Sequence, residues 1–157
     1  MTKTKTKRLL RETYLQMIKN SPKSRLFRNL FVTDGKGGKR DVLENGRESC
    51  AFFVSSILKV FSLVDFPHAT VNATLKDMAK NGWRETKKLE PGNVLLWEEK
   101  NGHRHLGFFI GGKKAVSNAF FYYKSRAPKI HHFTYMETGE KQPRRKIEAM
   151  FVHPDIK

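Results

Sequence analysis

Cysteine is nearly absent from the sequence, since Cys50 is the only one among 157 residues. A single thiol forms no intramolecular disulfide, so nothing in the composition indicates an oxidising compartment. Long apolar runs are missing as well, because no stretch approaches the ~18 residues of a membrane-spanning helix. The basic segment Met1–Arg8 leads into no apolar signal segment. We therefore expect no membrane span and a cytoplasmic location, unless export uses a route without a classical signal.

Acidic residues are scarce near the N-terminus, where basic residues collect. Residues 1–40 contain 12 of the 31 Lys and Arg residues but only two acidic ones, Glu12 and Asp34, and the whole chain has a formal net charge of +16. We predict a basic N-terminal extension over residues 1–40, packed on or flanking a domain that spans residues 41–157. Such an extension suits nucleic acid or another anionic polymer as a partner, or it is a solvated face that keeps the protein soluble.

A phosphate-binding loop of the Walker type is also missing. That motif needs two glycines separated by four residues, followed by Lys and then Ser or Thr. The glycines of residues 34–38 do not have this spacing, and they predict a turn instead. We expect no cofactor.

Apolar residues follow a helical period in the first half of the chain and form short runs between turns in the second half. The period predicts a helix from about residue 6 to 20, a second helix that begins near Cys50, and a third with Val71, Leu75 and Met78 on one face. The predicted strands are Val94–Trp97, His105–Ile110, Lys114–Phe121, Ile130–Tyr135 and Lys146–Val152. Helices followed by an antiparallel sheet define an α+β fold.

The single cysteine stands where a polar loop turns into a helix, in "ENGRESCAFFVSSIL" over residues 44–58. Ser49 is a suitable N-cap, which places Cys50 in the first turn. The partial positive charge of a helix N-terminus stabilises a thiolate and lowers its pKa, which suits a nucleophile. The alternative is an inert cysteine that fills space in the core.

A nucleophilic cysteine needs a general base, and His105 is the best placed of the six histidines. It opens the predicted strand "HLGFFIGG", in which Gly107 has no side chain and leaves room for a substrate backbone to approach. We expect His68 and His153 to be structural or at the surface.

The residue that orients His105 can be sought from the geometry of the following hairpin. If Gly112–Lys113 is a two-residue turn, Gly107 pairs with Asn118, whose side chain can accept a hydrogen bond from His105 and fix its tautomer. A change of one residue in loop length puts Ser117 in that place. Further candidates on a later strand are His131 and His132.

Three short motifs occur in an order that a known family shares, namely "CAFFV" at Cys50–Val54, "PGNV" at Pro91–Val94 and "HLG" at His105–Gly107. Together they resemble the NlpC/P60 and CHAP group of papain-like cysteine peptidases and amidases. The similarity covers roughly residues 44–121. By the family's spacing the third polar residue falls at Ser117, with Asn118 beside it.

The resemblance implies a circularly permuted papain-like fold, with N-terminal helices packed on an antiparallel β-sheet. It also implies a cysteine hydrolase that acts through an acyl-enzyme on a peptide or amide bond, with Cys50 as nucleophile and His105 as base. From the hairpin geometry we take Asn118 as the residue that orients the base. Many members cut bonds in bacterial peptidoglycan, which makes that polymer a candidate substrate.

The sequence also suits two other functions. A zinc site could use nitrogens of His103, His105, His131 and His132. A binding module without catalysis, either a non-catalytic papain-like fold or a basic surface for nucleic acid, could use the aromatic and basic residues at 120–124 to stack bases.

Overall fold

The computed structural model describes residues 6–157, so Met1–Lys5 of the predicted basic extension lie outside the described residues. The helices are α1 (Leu10–Asn20), α2 (Cys50–Val60), α3 (Val71–Lys80) and α4 (Phe120–Tyr123). The strands are β1 (Phe31–Thr33), β2 (Lys39–Asp41), β3 (Arg84–Glu85), β4 (Val94–Lys100), β5 (His103–Gly111), β6 (Lys114–Ser117), β7 (Lys129–His132) and β8 (Ile147–Val152). The predicted α+β class is confirmed.

Six of the strands form one antiparallel sheet in the order β3-β8-β4-β5-β6-β7, and β1 and β2 form a separate hairpin. The strand β5 lies inside the sheet between β4 and β6. The strand β6 ends at Ser117, which lies opposite the middle of β5. The first residues of β5 therefore have no β6 residue beside them. This gap is where the start of α2 approaches the sheet.

The main core lies between the helices and one face of the sheet. Phe53 of α2 packs edge-on against Phe108 of β5, with ring centroids 5.5 Å apart. Tyr14 of α1 is fully buried in the same core and donates a hydrogen bond to the carbonyl oxygen of Gly92 at 2.9 Å. The helix α1, which belongs to the predicted extension, is thus packed into the core. The boundary predicted at residue 40 falls within β2.

Alternation along the central strands sends every second side chain to the other face of the sheet. Leu106 and Phe108 of β5 face the helices, whereas His105 and Gly107 belong to the opposite face. The second face carries a smaller core, which includes Leu95, Trp97, Phe109, Ala115 and Tyr135. His105 therefore stands among aromatic side chains, 5.3 Å from Trp97 between ring centroids.

The prediction that the strand after the glycine turn continues to Phe121 is wrong. The strand β6 ends at Ser117, and residues 120–123 form the short helix α4. Four aromatic residues in a row favour a strand locally, but tertiary packing overrides that preference. Tyr122 stacks on Tyr135 at a centroid distance of 4.3 Å, which holds this segment against the second core.

Candidate active site

Cys50 is the first residue of α2, at the predicted position, and its side chain is half-buried. Ser49 occupies the N-cap position, as predicted, but its hydroxyl donates to the carbonyl oxygen of Gly46 at 3.2 Å and does not cap the helix. The free N–H groups of the first turn therefore stay available next to the thiol.

Two backbone N–H groups, those of Leu106 in β5 and Ala51 in α2, favour the anionic form of the thiol and so lower its pKa. Burial opposes them and is the larger effect, so the pKa of the Cys50 thiol is raised above its ordinary value. This is the reverse of the lowered pKa that the helix N-terminus predicts. Cys50 is consequently a neutral thiol at pH 7 that has donors in place for a developing negative charge.

His105 hydrogen bonds Ser117, with 3.0 Å between its Nε2 and the serine oxygen. The predicted two-residue turn Gly112–Lys113 is present, since Gly111 pairs with Lys114, but the register shifts by one residue between Phe109 and Gly111. This β-bulge puts Ser117 rather than Asn118 opposite Gly107, and it corrects the prediction that Asn118 orients His105.

Asn118 instead ties the end of β6 to the segment before α2. Its Nδ2 donates to the carbonyl oxygen of Gly46 at 3.1 Å and to the hydroxyl of Ser49. Its Oδ1 is the one buried side-chain polar atom among residues 6–157 that has no hydrogen-bond partner. Asn118 therefore helps to hold Ser49 in place, and with it the next residue, Cys50.

The Ser117 hydroxyl is the centre of a buried network that also contains His131 and Tyr135. Its oxygen lies 2.7 Å from His131 Nε2 and 2.8 Å from the Tyr135 hydroxyl. Tyr135 is fully buried and stacks on His131 at 4.1 Å. Its backbone is left-handed, with φ of +60°, a conformation that costs an L-residue about 1 kcal/mol. The surrounding packing compensates for this strain.

The donor in each of these hydrogen bonds can be assigned, because a carbonyl oxygen and an unprotonated ring nitrogen can only accept. His131 Nδ1 lies 2.8 Å from the carbonyl oxygen of His132, so Nδ1 carries the proton. Burial lowers the pKa of His131 to about 4, so the ring is neutral at pH 7 and its Nε2 accepts. The single proton of Ser117 must then point to His131, which leaves its oxygen to accept from Tyr135 and from His105 Nε2.

The network thereby fixes the tautomer of His105, with the proton on Nε2 and the lone pair on Nδ1. Burial is the main reason that the pKa of His105 lies well below its ordinary value, and the charge of Arg145 and the neighbouring His131 lower it further. The ring is therefore neutral at pH 7, with an unprotonated nitrogen. This is the protonation state that a general base needs.

Cys50, His105 and Asn118 line one small pocket of about 30 Å³. No hydrogen bond joins the thiol and the imidazole among the residues described, and catalytic contacts of this kind often tighten only when substrate is bound. Cys50 also borders a larger groove of about 590 Å³, a size typical of ligand sites. The walls of this groove come from the β1–β2 hairpin, the start of α3 and the start of β5.

The four histidines considered for zinc are not gathered around one point. His103 is exposed and stacks on Phe121 at 5.5 Å, and His132 Nδ1 accepts a hydrogen bond from Thr134. Residues 6–157 contain no group of three or more His, Cys, Asp or Glu side chains arranged to hold a metal ion. The predicted structural roles of the two remaining histidines fit their contacts, since His68 binds Asp77 at 2.6 Å and His153 lies 2.8 Å from the carbonyl oxygen of Asn81.

Two residues of this site were not found from the sequence. Tyr135 was only the last residue of a predicted strand, and Arg145 stands in the run "RRK", which reads as a solvated basic segment. For the hairpin that lines the groove, the sequence predicts the turn at residues 34–38 and, before it, a strand or short helix over Leu26–Val32. None of these carries a sequence signal for a role beside Cys50.

Comparison of the chain with protein-family models, with curated proteins and with solved structures finds no match. In the part of the chain that the structure describes, no helix combines the length and the apolar character needed to cross a membrane.

Proposed function

We propose that the protein is a cysteine hydrolase of the papain-like, NlpC/P60 type that cleaves a peptide or amide bond. The observation that carries the proposal is the shared pocket of Cys50 and His105. One wall holds a thiol at a helix N-terminus, and the other holds an imidazole whose Nε2 is fixed by Ser117. The order of motifs along the chain supports the same conclusion.

The two groups start neutral, so the thiol transfers its proton to His105 Nδ1 as its sulfur attacks the carbonyl carbon. The N–H groups of Leu106 and Ala51 stabilise negative charge at the sulfur. His105 then gives the proton to the leaving nitrogen, the C–N bond breaks, and the acyl group stays on Cys50. Water, deprotonated by His105, attacks the acyl carbon, and the C–S bond breaks with return of the proton to the sulfur.

The groove next to Cys50 supports an extended substrate. It is lined by apolar side chains of the hairpin, such as Leu30 and Val32, and by Arg104 and Glu48. The apolar wall suits aliphatic side chains of a peptide, and the charged residues suit its polar groups. Peptide stems of bacterial peptidoglycan are the first substrates to test.

The test incubates the protein with soluble peptidoglycan fragments and with a mixed peptide library, followed by mass spectrometry of the products. We expect new termini with the wild type and none with Cys50→Ala or His105→Ala, each checked for folding by circular dichroism. The acyl-enzyme adds a second readout, since an activated peptide ester should leave a mass adduct on Cys50. Equal product with the Cys50→Ala variant, or neither turnover nor adduct with the wild type, contradicts the proposal.

A second candidate function, binding of an anionic polymer without catalysis, is favoured by a cluster of cations on aromatic rings beside the small pocket. Arg47 lies over Phe121 at 5.8 Å, and Lys124 and Arg126 lie over Phe120 at 5.4 and 4.9 Å. Phe121 is 46% exposed, so its ring can stack on a base.

Fluorescence anisotropy with single-stranded DNA at two salt concentrations tests this candidate. Binding should weaken as salt rises and fall further in Phe121→Ala. Exposed Leu26, on a different part of the surface, provides the matched control variant Leu26→Ala. Unchanged binding in Phe121→Ala excludes stacking on this cluster.

A further inference from the structure

Arg145 is a buried cation without an anionic partner. It is 4% exposed, its Nε donates to the carbonyl oxygen of Glu98 at 2.8 Å, and its Nη2 donates to the carbonyl oxygen of His103. Both acceptors are neutral. None of the ion pairs formed within residues 6–157 includes Arg145.

The neighbouring residue, Arg144, forms ordinary ion pairs with acidic side chains. Arg144 binds Glu140 at 2.7 Å and Glu137 at 3.0 Å, at the surface. Arg145 has the more costly position, because burial of a guanidinium charge without a counter-ion is strongly unfavourable. An anion that enters beside this guanidinium therefore gains a charge-assisted contact and supplies the missing counter-ion.

Arg145 faces the candidate active site. It lines the same small pocket as Cys50 and His105, and its charge lowers the pKa of both groups and of Tyr135. Its third guanidinium nitrogen, Nη1, forms no hydrogen bond with the described residues. It is not one of the fully buried polar atoms that lack a partner in that part of the chain, so a ligand can reach it.

We infer that Arg145 forms a subsite for a carboxylate that the substrate carries close to the bond attacked by Cys50. The inference rests on the proposed hydrolase function and names the kind of substrate that this function takes. A guanidinium binds carboxylates in a planar, charge-assisted contact. The pocket of about 30 Å³ has room for a group the size of roughly two water molecules, which suits a carboxylate and is too small for a phosphodiester.

Binding of the carboxylate also brings the substrate to the reacting groups. The positive charge of Arg145 lowers the pKa of both His105 and Cys50. A carboxylate on Arg145 cancels that charge and raises the proton affinity of both groups, so the proton transfer from Cys50 to His105 is little changed. Substrates that carry the carboxylate should react faster than their neutral amides because Arg145 holds them next to Cys50.

The test uses two alkylating agents on the single cysteine, so that no turnover is required. Iodoacetate carries a carboxylate and iodoacetamide is its neutral counterpart. We expect the rate with iodoacetate divided by the rate with iodoacetamide to be about tenfold higher for Cys50 than for N-acetylcysteine. A tenfold difference corresponds to one charge-assisted hydrogen bond. Arg145→Gln should bring the ratio back to that of the free thiol, whereas Arg144→Gln, the matched control, should leave it unchanged.

A second measurement on the wild type keeps the inference falsifiable if Arg145→Gln does not fold. Propionate should slow alkylation of Cys50 by iodoacetamide, relative to chloride at the same concentration. A wild-type ratio equal to that of the free thiol, or a lack of protection by propionate, overturns the subsite. Absence of hydrolysis together with a clear preference for iodoacetate would instead overturn the hydrolase and leave the subsite standing.

Discussion

His105 Nε2 lies 3.0 Å from the hydroxyl oxygen of Ser117, and a β-bulge is what brings the two residues together. Without the register shift between Phe109 and Gly111, the residue opposite Gly107 would be Asn118. The bulge thus puts a hydroxyl, which both donates and accepts, where an amide would stand. The Ser117 hydroxyl can therefore connect His105 with His131, and it determines which ring nitrogen of His105 is unprotonated.

Ser117→Ala should release the tautomer of His105. The variant leaves the Nε2 proton of His105 and the Tyr135 hydroxyl without an acceptor, so we expect a mixture of the two neutral tautomers. Nitrogen-15 chemical shifts of the imidazole measure this directly, since protonated and unprotonated nitrogens give separate signals. Loss of a buried hydrogen bond should also cost about 1–3 kcal/mol of unfolding free energy.

Asn118→Ala is the matched control, because the two residues are adjacent and both are buried. It removes the contacts with Gly46 and Ser49 but leaves Ser117 in place. The His105 signals should therefore stay those of the wild type. A change in the His105 tautomer in Asn118→Ala, with none in Ser117→Ala, would return the orienting role to Asn118.

The sequence was sufficient to predict the α+β class, the helix that begins at Cys50 and the strand that contains His105, because each depends on local periodicity or turn chemistry. The partner of His105 depends on one extra residue in β5, and a bulge in "FFIGG" has no residue signature that separates it from a regular hairpin. The burial of Arg145 depends on the packing of β4 and β5 against residues distant in sequence. The raised pKa of Cys50 likewise reflects burial, which a helix start alone does not indicate.

Gly107→Ala should disturb the contact between His105 and Ser117. A Cβ at this position would lie 2.7 Å from Ser117 Cβ, 2.7 Å from the carbonyl oxygen of Val116 and 2.9 Å from the Trp97 ring, and backbone cannot move aside cheaply. We expect a loss of about 1–3 kcal/mol in unfolding free energy, measured in urea, with changed His105 signals. Gly35→Ala, which meets nothing within 4 Å but has φ of +77°, should cost about 1 kcal/mol and leave His105 unchanged. Equal effects of the two variants would contradict crowding at Gly107.

Stability should fall as the pH decreases from 6.5 towards 4. The pKa of His131 is about 4 in the folded protein, against about 6.5 in the unfolded chain, so the unfolded state binds more protons in this window. Each pH unit then costs about 1.4 kcal/mol for this group, or about 3 kcal/mol by pH 4. His105, whose folded pKa is lowered as well, acts in the same direction.

Urea unfolding between pH 7 and pH 5 measures this slope before most carboxylates begin to titrate. His131→Gln, which can keep an acceptor near Ser117, should make the slope shallower by about 1 kcal/mol per pH unit on average over this window. His103→Gln, at an exposed histidine, is the matched control for the loss of an imidazole. A slope that His131→Gln does not alter would mean that folding does not lower the pKa of His131.

Alkylation of Cys50 by iodoacetamide should have its pH midpoint above about 8.5, the value of an unperturbed cysteine. Burial raises the pKa of this thiol more than the N–H groups of Leu106 and Ala51 lower it, and the rate follows the thiolate. Because His105 is neutral, His105→Ala should leave the midpoint nearly unchanged, whereas Arg145→Gln should raise it further through loss of a stabilising charge. The rate at each pH is read from the mass of the proteolytic peptide that contains Cys50, the only cysteine of the chain. A midpoint below 8.5 that rises in His105→Ala would show instead a preformed ion pair of thiolate and imidazolium, and the attack would then need no proton transfer from sulfur to His105.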